Sequence, residues 1–166
     1  GGTLVANLIS RKIKKQIDSG EARVTVVDEK GEHVYQPGFM YIAMGSEDPK
    51  SLRKPERRLL DDRVELVIGE VTAIDEESRK VSIADGTELD YDHLILATGS
   101  RILPESIEHF EEEAHHFYSE EAAGRLRKAL DEFTGGKVVV GIASMPYKCP
   151  PAPLEVALLI ESELRE

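Results

Sequence analysis

The chain has 166 residues, 32 of them acidic and 21 basic, for a formal net charge of −11 at pH 7. That length can bury a sizeable core, and 40% hydrophobic with 32% charged residues is a globular composition. The acidic balance argues against nucleic acid as the main partner. One cysteine excludes an internal disulfide framework or a multi-thiolate metal site, and no apolar run approaches the roughly 20 residues of a membrane span.

The chain opens on Gly1-Gly2-Thr3 without a methionine. Leu4 and Leu8, and Val5, Ile9, Ile13 and Ile17, recur at i, i+4 spacing and predict an amphipathic helix that Gly20 closes. Val24-Thr25-Val26-Val27 follows as a β-branched strand, with Asp28 and Glu29 at its end. Helix, turn, strand and then an acid is the second half of a βαβ dinucleotide-binding unit. In such a unit glycines open the helix so that backbone can approach a pyrophosphate, and the acid accepts from a ribose hydroxyl. Gly1, Gly2 and Asp28 therefore stand as candidate cofactor ligands, Asp28 lying 26 positions beyond Gly2. The expectation is a chain that begins inside the glycine fingerprint, with the first strand missing. An adventitious glycine pair ahead of an ordinary surface helix accounts for the same residues.

The stretch Val34 to Gly45 is rich in aromatic residues and methionine, and reads either as core beneath a loop or as the wall of a flat ligand pocket. Asp48 to Leu60 is expected to be a charged, partly helical connector broken at Pro55. Alternation then predicts strands at Val64–Ile68, Val71–Ile74 and Val81–Ile83, a tight turn at Asp85-Gly86, and a last strand from Thr87 to Tyr91. This is an antiparallel meander inserted between parallel elements. His93-Leu94-Ile95-Leu96-Ala97 is nearly continuous in apolar character, as in a strand buried on both faces, and ends in Thr98-Gly99-Ser100-Arg101-Ile102-Leu103-Pro104. That order resembles the flavoproteins built from two dinucleotide domains. In them the backbone at the positions of Ala97, Thr98 and Gly99 lies close to FAD. The departure is a longer spacer before Pro104, four residues from Ser100 to Leu103.

Ser119 to Phe133 predicts a helix capped by Ser119, with Glu120 and Glu121 at its positive end and Gly135-Gly136 as the stop. Its apolar stripe is Ala122, Ala123, Leu126, Ala129, Leu130 and Phe133. Lys137 to Ala143 follows as a second buried strand, and a helix starts near Pro153 with Leu154, Ala157, Leu158, Glu161 and Leu164 on adjoining turns. A unit that takes a nicotinamide nucleotide would turn here on Gly-x-Gly-x-x-Gly. Instead Pro146, Pro150, Pro151 and Pro153 remove backbone donors, so the unit is expected to keep the fold without holding that nucleotide. The loop offers Cys149, beside Lys148 and ahead of a helix N-terminus; both neighbours favour a thiolate. A small buried hydrophobe is the other reading of a free cysteine. His109, His115 and His116 lack the helical spacing of a zinc pair, and no metal site is expected.

Tyr35-Gln36-Pro37-Gly38-Phe39, Ala97-Thr98-Gly99, Phe117-Tyr118-Ser119 and Pro146 to Glu155 resemble the sulfide:quinone oxidoreductases and the flavoprotein subunits of flavocytochrome c sulfide dehydrogenases. The resemblance runs over essentially the whole chain. It implies an α/β fold: a doubly wound, Rossmann-like FAD domain at 1–104 carrying the meander, then the start of a second such unit at 105–166. It implies FAD contacts at Gly1, Gly2, Asp28, Gln36, Pro37, Val71, Ala97, Thr98 and Gly99. Cys149 would be the catalytic cysteine, working with a second one far downstream to take sulfur from sulfide, while electrons pass through FAD to a quinone or cytochrome c. The second cysteine, the quinone site and the attachment to a membrane surface would lie in a C-terminal region beyond this chain. A homo-oligomer is compatible with the resemblance. Some members carry a further cysteine near His116 to Ser119, absent here, so a mechanism requiring it is not expected. The alternatives are an NADH-oxidising relative of the type II NADH:quinone dehydrogenase kind and a non-catalytic FAD-binding domain. Expressed alone, the 166 residues are expected to be poorly soluble and not to retain FAD.

Overall fold

The computed structural model describes residues 1–165. In chain order the helices and strands begin with α1 (Gly2–Lys12), α2 (Lys14–Asp18), β1 (Val24–Asp28), β2 (Glu32–Val34), α3 (Phe39–Ala43) and β3 (Arg53–Pro55). Then come β4 (Val64–Ile68), β5 (Val71–Asp75), β6 (Lys80–Ile83), β7 (Glu88–Asp90), α4 (Phe110–Glu113), α5 (Glu120–Asp131) and α6 (Ala152–Glu163). They form two compact units, one of residues 1–34 and 53–101, the other of 35–52 and 102–165.

In the first unit β1 and β4 pair in parallel, Val24 opposite Val64 and Asp28 opposite Ile68. Ala6 of α1, Leu60 and Val64 form the core, with Val24, Val26 and Leu66 packed against it. The helix predicted from Leu4 to Ile17 is interrupted at Ile13; Val5, Ile9, Ile13 and Ile17 of the expected stripe are half-buried, whereas Leu4 and Leu8 lie off the packed face. Ala6 and Ser10 are buried, whereas Leu4 is 63% and Leu8 56% exposed. Small residues on that side let α1 lie close to the 56–61 segment, where Asn7 and Thr3 find polar partners. The predicted meander is present as β5-β6-β7, antiparallel throughout, with Val81 and Ile83 buried beneath it. The connector expected at 48–60 instead contains β3, which pairs antiparallel with β2, between two short 3₁₀ turns.

The second unit packs α3 under α5 and α6. Leu130, Val156 and Ile160 form its core, joined by Met40, Met44, Phe117 and Leu126. The methionine-rich stretch is thus core, with Phe39, Ile42 and Ala43 buried. α5 starts where its cap predicts: Ser119 Oγ accepts from the Ala122 N–H at 3.2 Å. α6 starts at Ala152 and turns Ala152, Val156 and Ile160 inward, while Leu154 and Leu158 of the expected stripe face solvent.

The two runs expected as buried strands, 93–97 and 137–143, join no ladder among the described residues. Leu96 is 67% and Val139 79% exposed. An extended apolar segment becomes a strand only through hydrogen bonds to a neighbour, and neither run meets one. The 137–143 run borders a cavity of about 510 Å³ against α6, lined in part by Val138, Val140, Ala157 and Ile160. No helix among the described residues is long and apolar enough to cross a membrane.

Candidate functional site

The chemistry-bearing residues fall into two groups, one in each unit. In the first unit the 19–23 turn reverses the chain between α2 and β1, so the start of α1 and the end of β1 fall at the same end. Gly1 caps α1 with no side-chain acceptor, and no acid stands in the first turn. The first-turn N–H groups, which have no intrahelical partner, are left for an anion. Gly1 and Gly2 come against Ala97: a Cβ built on Gly2 would lie 3.5 Å from the Ala97 methyl, and one on Gly1 3.8 Å. Side chains at these positions would fill the gap that the two glycines keep open.

Asp28 ends β1, at the carboxyl edge of the parallel pair where doubly wound sheets bind their ligands. Its Oδ1 accepts from Lys30 N–H at 3.1 Å and Gly31 N–H at 2.6 Å. Gly31 adopts φ +64, and a Cβ there would meet the Ile68 side chain at 2.7 Å, so this turn requires glycine. Val71 opens β5 and is exposed, and Thr98 and Gly99 are exposed with Gly99 at φ +75. An open helix start on two glycines and a held strand-end acid fit a dinucleotide carrying a pyrophosphate and a ribose.

Gln36 and Pro37 belong to the second unit, where Gln36 takes part in the surroundings of the cysteine. Cys149 is a free, exposed thiol whose backbone is left-handed at φ +55. Its carbonyl accepts from Ala152 N–H, the first residue of α6, at 2.9 Å. The Lys148 ammonium, expected to act on the thiol, donates to Gln36 Oε1 at 3.3 Å. The Lys148 carbonyl in turn accepts from the Tyr118 hydroxyl at 2.8 Å.

Tyr118 is itself held. Its N–H donates to His116 Nδ1 at 3.2 Å, and its ring stacks on Phe117 with centroids 5.0 Å apart. Burial, then the neighbouring Cys149 and Tyr147, push the Tyr118 phenol above its ordinary range. Burial in turn pushes the His116 imidazole below its own, which suits a ring nitrogen that accepts a hydrogen bond. In the sequence Tyr118 stands out only within Phe117-Tyr118-Ser119, one of the stretches that carry the family resemblance. Its bond to residue 148 spans 30 positions, and no local spacing announces it.

Compared with known proteins, residues 10–142 match the family model described as pyridine nucleotide-disulphide oxidoreductase. The mitochondrial sulfide:quinone oxidoreductase of Dictyostelium discoideum is 24% identical over 172 aligned positions, covering 100% of this chain and 37% of that protein. The type II NADH:quinone oxidoreductase of Staphylococcus haemolyticus is 25% identical over 122 positions, covering 73% of this chain and 30% of that protein. Among solved structures, the sulfide:quinone oxidoreductase of Aquifex aeolicus superposes with a TM-score of 0.59 at 21% identity, over 80% of this chain and 29% of that one. The fold is accordingly the α/β, Rossmann-like fold of FAD-dependent oxidoreductases. The chain spans about a third of the length of the curated relatives it matches.

Proposed function

The chain belongs to the pyridine nucleotide-disulphide oxidoreductase family, whose cofactor is FAD, and from that premise we propose that its activity is the oxidation of sulfide, with electrons passing to a quinone or a cytochrome. The observation that carries this reading is Cys149. It is an exposed thiol in a proline-rich turn, at the place where a nicotinamide-binding unit would open its helix on glycines. The relative from Dictyostelium discoideum, named for sulfide and quinone, supports the choice of substrate and acceptor.

Gly1, Gly2 and the open first turn of α1 would hold the pyrophosphate of FAD, and Asp28 its ribose, with the backbone of Ala97, Thr98 and Gly99 and the side chain of Val71 alongside. When bound, FAD supplies a two-electron acceptor. Cys149 takes up the sulfur: its thiolate and a hydrosulfide, joined as a persulfide, release two electrons and one proton. The exposed position of the thiol admits a small anion from solvent, and the bonds to its two flanking peptides hold it in place. A quinone acceptor would bring the protein to a membrane surface as a peripheral enzyme, since quinones reside in the bilayer.

Rapid mixing of the FAD-loaded full-length protein with sulfide tests the reading. Sulfide should bleach the flavin, and Cys149→Ser should abolish the bleaching; a C149S variant that bleaches at the wild-type rate would overturn it. The relative from Staphylococcus haemolyticus favours a second reading, in which the donor is NADH. The prolines at 146, 150, 151 and 153 oppose it. Rapid bleaching by NADH in the same apparatus, with none by sulfide, would put the second reading first.

A further inference from the structure

Two peptide planes flank Cys149, and each is held by one hydrogen bond. The plane after it is held locally, by the Ala152 N–H on the Cys149 carbonyl at 2.9 Å. The plane before it carries the Lys148 carbonyl, which the Tyr118 hydroxyl grips at 2.8 Å from 30 positions away. The two planes meet at the α-carbon of residue 149, and rotation about its N–Cα bond sets φ, which stands at +55°. A left-handed conformation is unfavourable for a side chain with a Cβ, and persists only where the surroundings over-determine it.

We propose that the Tyr118 hydroxyl is the positioning group for the Cys149 thiol. It holds residue 149 in the left-handed conformation that presents the sulfur to solvent. The proposal rests on Cys149 as the reactive thiol of the sulfide reading, but on no property of flavin or sulfide. Two further contacts make Tyr118 a fixed anchor rather than a passing one: His116 takes its N–H, and Phe117 stacks on its ring. The Lys148 side chain is tied separately to Gln36. Residue 148 is therefore pinned at its carbonyl and at its ammonium by two different segments of the same unit. The raised phenol, attributed in part to Cys149, agrees with the two groups lying within electrostatic reach.

Removing the hydroxyl frees the peptide plane before Cys149. What then opposes the cost of the left-handed turn is the Ala152 bond, the longer bond of the Tyr147 hydroxyl to the Pro150 carbonyl at 3.4 Å and the exposed Lys148–Gln36 contact, so the presented conformer becomes a minority. These 166 residues contain one cysteine, and the part of the reaction with a chromogenic aromatic disulfide that is lost in Cys149→Ser reports on that thiol. Tyr118→Phe keeps the ring and its stacking. It should slow the pH-independent reaction of the thiolate with that reagent about fivefold, with far-ultraviolet circular dichroism unchanged. Phe117→Leu, which disturbs the stack and spares the hydroxyl, should react nearly as wild type does. As a readout of conformation, Cys149→Gly should be more stable than Cys149→Ala in the wild-type background, and the difference should close when Y118F is added. A Y118F chain reacting at the wild-type rate, or an undiminished Gly–Ala difference in the Y118F background, would overturn the proposal. Either result leaves the sulfide reading standing, because flavin bleaching tests that separately.

Discussion

The hydroxyl of Thr3 donates to Oε1 of Glu56 across 2.6 Å, and Glu56 is only 4% exposed. The other carboxylate oxygen faces His33 Nδ1 at 3.3 Å, so one buried acid ties the first turn of α1 to β2. One turn further along, the Asn7 amide donates to the Leu59 carbonyl and accepts from the Asp61 N–H, both at 2.7 Å. Helix α1 is thus fastened along one face to the 56–61 segment. The same fastening fixes where its glycine start lies, and so where a pyrophosphate would be received.

Glu56→Ala leaves the Thr3 hydroxyl and the His33 ring without their acceptor inside the first unit. The expected loss is about 2 kcal/mol of unfolding free energy. Glu56→Gln keeps an acceptor for Thr3 and should lose less. Urea unfolding measures both, and an E56A midpoint equal to wild type would refute the fastening role.

Asp28 has two duties that separate by substitution. Its Oδ1 closes the turn onto Lys30 and Gly31, while the charge is what a ribose hydroxyl would find. Asp28→Asn retains an acceptor for the turn and should leave the unfolding midpoint near wild type. Its affinity for FAD should fall roughly tenfold, as for a lost hydrogen bond to a charged group. Asp28→Ala should lower both. Flavin fluorescence titration of the full-length protein gives the affinity, and undiminished binding by D28A would remove Asp28 from the cofactor site.

The meander contributes a dependence on pH. The Asp75 carboxyl is held below its ordinary range, chiefly by the backbone N–H of Ser78 and then by the Ser78 side chain. A carboxyl depressed in the folded state contributes stability that is present above its unfolded pKa and is lost as pH falls toward the folded value. Stability should therefore decline as the solution is acidified below about pH 4. Asp75→Asn, which keeps a turn acceptor without a titrating group, should flatten part of that decline. Urea midpoints followed from neutral to acid pH measure it, and identical profiles for the two proteins would exclude the contribution.

Much of this arrangement was legible in local chemistry. Ser119 announced the start of α5 because a capping hydroxyl needs only the N–H three residues on. The alternating strands from Val64 to Asp90 and the glycine turn at Gly86 were readable because a two-residue period and a positive φ are properties of neighbours. Gly1, Gly2 and Asp28 could be proposed as ligands because helix, turn and strand lengths bring the ends of one βα unit together.

What the sequence by itself determined is the set of turns, caps and periods, and the presence of one thiol in a turn stripped of backbone donors. The tertiary structure decided which faces those elements bury. It chose Ala6 and Ser10 over Leu4 and Leu8, and Val156 and Ile160 over Leu154 and Leu158, because a helix packs the face whose size and polar groups suit what it meets. It left the apolar runs at 93–97 and 137–143 outside any ladder, because a strand exists only through a hydrogen-bonding neighbour that no local pattern supplies. It also brought Tyr118 to the carbonyl before Cys149, a contact between residues 30 apart that depends on how α5 and α6 pack against each other.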